Sequence, residues 1–150
     1  MLAAFLATLA LVAAACGGNG DDDEGAAANG DTQNGAMAEA TVDVELTEFM
    51  VTPSTESSSA GSIQFDVENV GGIPHEFLVI ETDLDPEDLP VSGSTVDEEA
   101  EDLTVVGEIE QFGPGTTESV TVDLSPGSHV LICNVPGHYE SGMTVGFTVE

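Results

Sequence analysis

Residues 128–143 read SHVLICNVPGHYESGM, and this stretch decides how the rest of the chain is read. An apolar run, Val130 to Ile132, leads into Cys133 and has the length and β-branched content of a strand. Pro136 and Gly137 then force a turn, so a loop leaving that strand can fold back and aim Cys133 and His138 at one point. Met143 opens an alternating segment in which Met143, Val145, Phe147 and Val149 share one face and Thr144, Gly146 and Thr148 the other. The thioether therefore points inward with the apolar face. A thiolate, an imidazole and a thioether on one strand–loop–strand unit form a soft donor set. Sulfur selects Cu(I) while imidazole accommodates both Cu(I) and Cu(II), so the pattern points to one mononuclear copper ion.

The same period of two recurs outward from this unit. Val42, Val44 and Leu46 alternate with polar residues, as do Ile63, Phe65 and Val67, and Val120, Val122 and Leu124. HEFLVI at 75–80 and HVLIC at 129–133 are nearly continuous apolar runs, the mark of central strands buried on both faces. Turn signals separate them at TPST, VGGIP, SPGS and VPGH. Seven or eight short strands in about 110 residues predict one all-β sandwich over 41–150, with a single core. The interval 81–115 is long for a connection, and Ser94 or Thr95 is placed to cap a short helix over one end of the sandwich. A calcium loop starting at Asp83 fails, because Asp88 stands where glycine is needed and Ser94 where a bidentate glutamate is needed.

Cys-x4-His-x4-Met after an apolar strand resembles the cupredoxin family, in particular its auracyanin-, plastocyanin- and azurin-like type 1 (blue) copper proteins. The resemblance covers roughly residues 41 to 150 and implies a Greek-key β-sandwich. It makes His75, which follows Pro74, the counterpart of the family's first copper histidine, so that His75, Cys133, His138 and Met143 are the expected metal ligands. Many members carry asparagine after that histidine to tie the two ligand loops together. Glu76 stands here instead, leaving its backbone N–H to bond the Cys133 sulfur. By the same resemblance Gly71, Gly72, Ile73, Pro74, Val135, Pro136, Gly137 and Tyr139 form a docking face around His138. The implied function is one-electron transfer with redox partners such as a cytochrome or a respiratory complex, by a protein expected to be a monomer. The alternative is an extracytoplasmic copper storage or delivery protein using the same ligands.

Enzyme readings fit less well. Ile132 and Asn134 flank Cys133 where a multicopper oxidase needs histidines, and three histidines in the chain cannot build a trinuclear cluster. His129 lies four residues before Cys133 on the same strand, roughly 13 Å away at strand rise, and is expected to be a core residue.

The 150 residues hold 29 Asp plus Glu and no Lys or Arg, a formal charge of -29. Nucleic acid is excluded as a partner, since its binding needs basic residues to displace counterions from phosphate. Anionic membrane surfaces are equally disfavoured. Residues 1–15, MLAAFLATLALVAAA, read as the apolar core of a signal peptide. Cys16 follows three alanines and precedes two glycines, which resembles the lipobox of bacterial lipoproteins. Residues 16–40 are rich in Gly, Asp and Asn and lack aromatics, so they read as an acidic flexible linker with a mean reach of roughly 27 Å. These features place the protein outside the cytoplasm, periplasmic or at the cell surface, with membrane contact only through a lipid on Cys16.

Overall fold

The computed structural model describes residues 38–150, so the leader, Cys16 and nearly all of the linker lie outside the described residues. Eleven strands follow in chain order: β1 Ala40–Thr47, β2 Met50–Pro53, β3 Ser57–Ser58, β4 Gly61–Asn69, β5 His75–Glu81, β6 Val91–Ser92, β7 Thr95–Val96, β8 Thr104–Phe112, β9 Thr117–Leu124, β10 Gly127–Ile132 and β11 Thr144–Val149. They form a sheet of order β2-β1-β4-β9, a second of order β3-β11-β10-β5-β8, and the small pair β6-β7. Strand β1 runs parallel to β4, whereas β5, β8, β10 and β11 pair antiparallel. The two large sheets make the expected Greek-key sandwich.

The alternating residues face each other across it. Val42, Val44 and Leu46 of β1 and Ile63, Phe65 and Val67 of β4 pack against Phe77 and Val79 of β5, Leu131 of β10 and Phe147 of β11. Phe65 sits between two rings, with centroids 5.7 Å from Phe77 and 5.5 Å from Phe147. Close sheet approach at one point requires glycine: a Cβ on Gly107 of β8 would lie 2.5 Å from Val122 of β9.

Strands β5 and β10 are buried on both faces. Their other face carries Leu78, Ile80, Val130 and Ile132, covered by Leu89, Val96, Leu103 and Tyr139. The interval 81–115 supplies most of that cover, and it does so without the short helix the sequence suggested. Pro86 and Pro90 interrupt its first half. Gly93, at φ 72°, closes a two-residue hairpin between β6 and β7 that takes up Ser94 and Thr95, the expected cap positions. Beyond it, tight turns join Ala100 N–H to the Asp97 carbonyl and Leu103 N–H to the Ala100 carbonyl. The segment lies across the outer face of a sheet, where apolar side chains set by turns meet Leu78 and Ile80. Among the described residues the one helical element is a 3₁₀ turn, Tyr139–Ser141.

His129 is buried as expected, on the sandwich-facing side of β10 with Leu131, opposite Glu81 on β5 and Phe147 on β11. It is 2% exposed, and neither ring nitrogen has a hydrogen-bond partner. A buried polar group without a partner costs about 1–3 kcal/mol. His129→Phe keeps a planar ring and removes both unpartnered nitrogens, so it is expected to stabilise the metal-free domain by about 1 kcal/mol or more in urea unfolding. A variant less stable than the parent would show that the imidazole is held by an interaction.

Candidate metal centre

Three elements meet at one end of the sandwich. His75 is the first residue of β5, Cys133 follows the last residue of β10, and these strands are neighbours with Ile132 opposite Leu78. The loop beyond Cys133 then turns back on itself. Val135 to His138 form a β-turn in which His138 N–H donates to the Val135 carbonyl at 2.9 Å, with Gly137 at φ 82° in the position where only glycine is unstrained. Met143 closes the loop from both sides. Its N–H donates to the His138 carbonyl and its carbonyl accepts the Cys133 N–H, each at 3.1 Å.

The outcome is a compact triangle of donor atoms. His75 Nδ1 and His138 Nδ1 are 3.3 Å apart, and the Cys133 Sγ lies 3.6 Å from the first and 3.4 Å from the second. His75 and Cys133 are fully buried and His138 is 9% exposed. Met143 is fully buried within the same apolar cluster as Cys133. The Glu76 N–H donates to the Cys133 Sγ at 3.4 Å, the backbone contact expected in place of a side-chain tie.

Burial and neighbouring groups shift two of the donors, His75 and Cys133, toward their neutral forms. Burial pushes the Cys133 thiol above its ordinary value, although the Glu76 and Val135 N–H groups pull it back. Burial, and then the facing His138 ring, push His75 below its ordinary value, with Glu48 acting the other way. A neutral imidazole at His75 and a thiol that ionises only beside positive charge suit a site able to take up a cation.

No family model and no curated protein matches the chain, but solved structures do. A dithionite-reduced auracyanin from Roseiflexus castenholzii superposes with a TM-score of 0.54 at 19% identity, over 76% of this chain and 99% of that one. An azurin from Methylomonas sp. strain J gives 0.55 at 21% identity, over 75% and 99%. Part of a Campylobacter jejuni multicopper oxidase gives 0.54 at 13% identity, over 78% of this chain and 31% of that one. The chain has the cupredoxin fold.

Several residues that shape this site were not singled out in the sequence. Asn69, fully buried at the end of β4, holds the loop before His75: its Nδ2 donates to the carbonyls of Ile73 (2.9 Å) and Phe112 (3.2 Å), and its Oδ1 accepts the Gly71 N–H at 3.1 Å. Asn134 ties the cysteine loop to the excursion. Its Oδ1 accepts the Val96 N–H at 2.7 Å and its Nδ2 donates to Glu98 Oε1 at 2.7 Å. The Ser94 carbonyl accepts the Gly137 N–H at 2.7 Å, a second strut from the same hairpin. An amide where the apolar alternation of β4 ends, and another beside the cysteine, were the available signals.

The docking face also needs correction. Ile73 is 40% exposed, and Gly72, Pro74 and Pro136 are exposed as expected. Tyr139 is not part of that surface. It is buried in the second cluster, where its hydroxyl accepts the Leu89 N–H and donates to the Pro86 carbonyl, both at 2.9 Å. Phe49 and Met50, on the hairpin joining β1 and β2, are exposed instead, and the Phe49 ring stands edge-on to His138 at 6.2 Å.

Glu76 introduces a pH dependence. Burial first, then the charges of Glu98, Glu108 and Glu110, push its carboxyl up to about 7. A carboxyl raised on folding binds more protons in the native than in the unfolded state between these two values, so it favours the fold at acidic pH and loses that contribution as pH rises through about 7. The metal-free domain is therefore expected to be less stable at pH 8 than at pH 5.5 by about 1–2 kcal/mol from this group, after screening by solvent. Glu76→Gln should flatten the difference in denaturant unfolding, and an unchanged slope would assign it to other groups.

Proposed function

We propose that the domain is a type 1 copper protein that carries single electrons, in which His75, Cys133 and His138 would hold the ion and Met143 would add a weaker thioether ligand. The observation that carries this reading is the donor triangle. A triangle with sides of 3.3, 3.4 and 3.6 Å has a centre about 2 Å from every corner, the length of a metal–imidazole bond. The donor chemistry fits the same ion, since two imidazoles and a thiolate with a thioether nearby are the blue-copper set. When bound, copper supplies a one-electron Cu(II)/Cu(I) couple.

The chain's own groups supply the rest. Neighbouring strands fix His75 and Cys133, the Val135–His138 turn fixes His138, and the Glu76 N–H steadies the sulfur, so the donors are set before any metal arrives. Burial excludes water from the sulfur. Such a site moves little between oxidation states, which suits a carrier. A groove lined by Pro86, Leu89, Val91 and Tyr139 borders the loop but includes none of the three donors, so it gives a substrate no path to them.

The exposed group of Phe49, Met50, Val70 and Ile73 supports brief docking of a redox partner near His138. With no Lys or Arg in the chain, the fitting partner face is basic or neutral, as on a cytochrome or a respiratory complex. Anchoring at the outer face of a bacterial membrane is supported by the leader-like stretch and Cys16. Membrane partition of the precursor made in its host, lost in Cys16→Ser, checks that part.

The visible spectrum of the copper-loaded protein tests the function. A strong thiolate-to-Cu(II) band toward the red is expected, whereas a protein that holds only Cu(I) and resists oxidation would be a storage or delivery protein. Cys133→Ser should abolish the band while the domain stays folded by circular dichroism. Met143→Leu should keep the colour and raise the potential, since loss of a weak thioether ligand would disfavour Cu(II). Retained colour in the serine variant would overturn the ligand assignment, and an unmoved potential in the leucine variant would leave Met143 a core residue only.

A further inference from the structure

The outward nitrogen of His75 is buried and has no hydrogen-bond partner. Metal-binding imidazoles ordinarily give that second N–H to a carboxylate or carbonyl, which fixes the tautomer and the ring orientation. The neighbourhood holds one carboxylate placed for the task. Glu48 lies on the turn between β1 and β2, and its Oε1 accepts the Gly72 N–H, which fastens the side chain over the loop that leads into His75. Gly71 leaves a gap between the two groups. A Cβ built there would lie 3.0 Å from His75 Nε2 and 3.0 and 3.1 Å from the two Glu48 oxygens, so imidazole and carboxylate border one small space. Gly71 has no left-handed φ that would demand glycine, which leaves this close approach as the reason for the missing side chain. In keeping with this, the Gly72 N–H first, and His75 among the lesser causes, hold Glu48 below the ordinary carboxylate range.

We propose that Glu48 is the positioning residue of His75: across the gap kept open by Gly71, directly or through one water, its carboxylate accepts the Nε2–H and so leaves Nδ1 bare toward Cys133 and His138. The Glu48 side chain is exposed, so it adjusts to close the remaining distance without strain in the core. The role is separate from the Glu76 contact, which acts on the Cys133 sulfur. It also couples the site to the hairpin that carries Phe49 and Met50, since the same turn holds the carboxylate and the exposed rim beside His138.

The inference rests on the copper reading of this site, and a measurement on the metal-free protein separates the two. Ring-nitrogen shifts of His75, read by NMR in the metal-free protein, should show the Nε2–H tautomer in the parent. That preference should weaken severalfold in Glu48→Gln, which can still accept the Gly72 N–H but carries no charge. Gly71→Ala, which fills the gap and leaves the carboxylate in place, should weaken it to a similar extent. In the copper-loaded protein the preference for Cu(II) over Cu(I) should fall roughly tenfold in both variants, the lower end of what such outer partners contribute. The idea is overturned if metal-free His75 carries its proton on Nδ1, or if both variants keep the parental tautomer and potential. A tautomer that follows Glu48 in a protein that binds no copper would uphold the role of Glu48 and remove the copper reading alone.

Discussion

A buried sulfur accepting a backbone N–H from the neighbouring strand is the contact on which the rest of this structure depends. Glu76 lies in β5 and Cys133 just after β10, both beyond Leu78 and Ile132, the last ladder pair those two strands make. A thiol there can neither ionise easily nor be hydrated, and burial raises it accordingly. Everything else at this end compensates for that arrangement. Two imidazoles face the sulfur with their Nδ1 atoms, and the loop that brings the second is closed by Met143 hydrogen bonds rather than by water. Two imidazoles and a thiol gathered this closely suit a soft cation, which makes the cost of their polar crowding in the interior intelligible.

Rigidity at such a site has to come from the layer behind it. Strands β5 and β10 carry their ligands between two apolar clusters, one inside the sandwich and one beneath the 81–103 excursion. The excursion is thus a lid on the back of the site. From it Val96 clamps Asn134, Ser94 takes the Gly137 N–H, and Pro86 and Leu89 hold the Tyr139 hydroxyl. Loss of any of these contacts would loosen the ligand loop without touching a ligand, since the flanks of Cys133 and His138 are what they grip.

How far the sequence disclosed this differs by residue. Cys133, Pro136, Gly137, His138 and Met143 were legible because they are close in sequence and each turn residue has one local job. The continuous runs at 75–80 and 129–133 announced strands covered on both faces, and the second cover is there. Its form was not legible, because a segment of short strands and turns has no period, and Ser94 and Thr95 look like helix caps until Gly93 is seen to turn the chain. Asn69, Glu48 and Phe49 escaped for another reason. Their roles depend on partners twenty or more residues away, such as Phe112, Gly72 and His138, and no local pattern records such pairings. Tyr139 was misplaced because an aromatic next to a ligand histidine reads equally as surface or core until its hydroxyl is seen to find two backbone groups.

The absence of Lys and Arg bears on how the acids are accommodated. With no side-chain cation beyond histidine to pair with, the carboxylates that make defined contacts take neutral donors. Glu48 takes the Gly72 N–H, Asp97 the Glu99 N–H, Glu98 the Asn134 amide, and Asp66 both Gln64 and Ser119. Such bonds hold geometry but cancel no charge, so repulsion accumulates wherever acids gather around a partly buried one. Glu76 shows the consequence, its carboxyl held up by burial and by Glu98, Glu108 and Glu110. A metal cation at the neighbouring donor triangle would be the one concentrated positive charge in this domain. The acidic surround and the metal centre are therefore one electrostatic system. The carboxylates would favour a more highly charged ion and such an ion would relieve the carboxylates, with no basic residue needed to balance them.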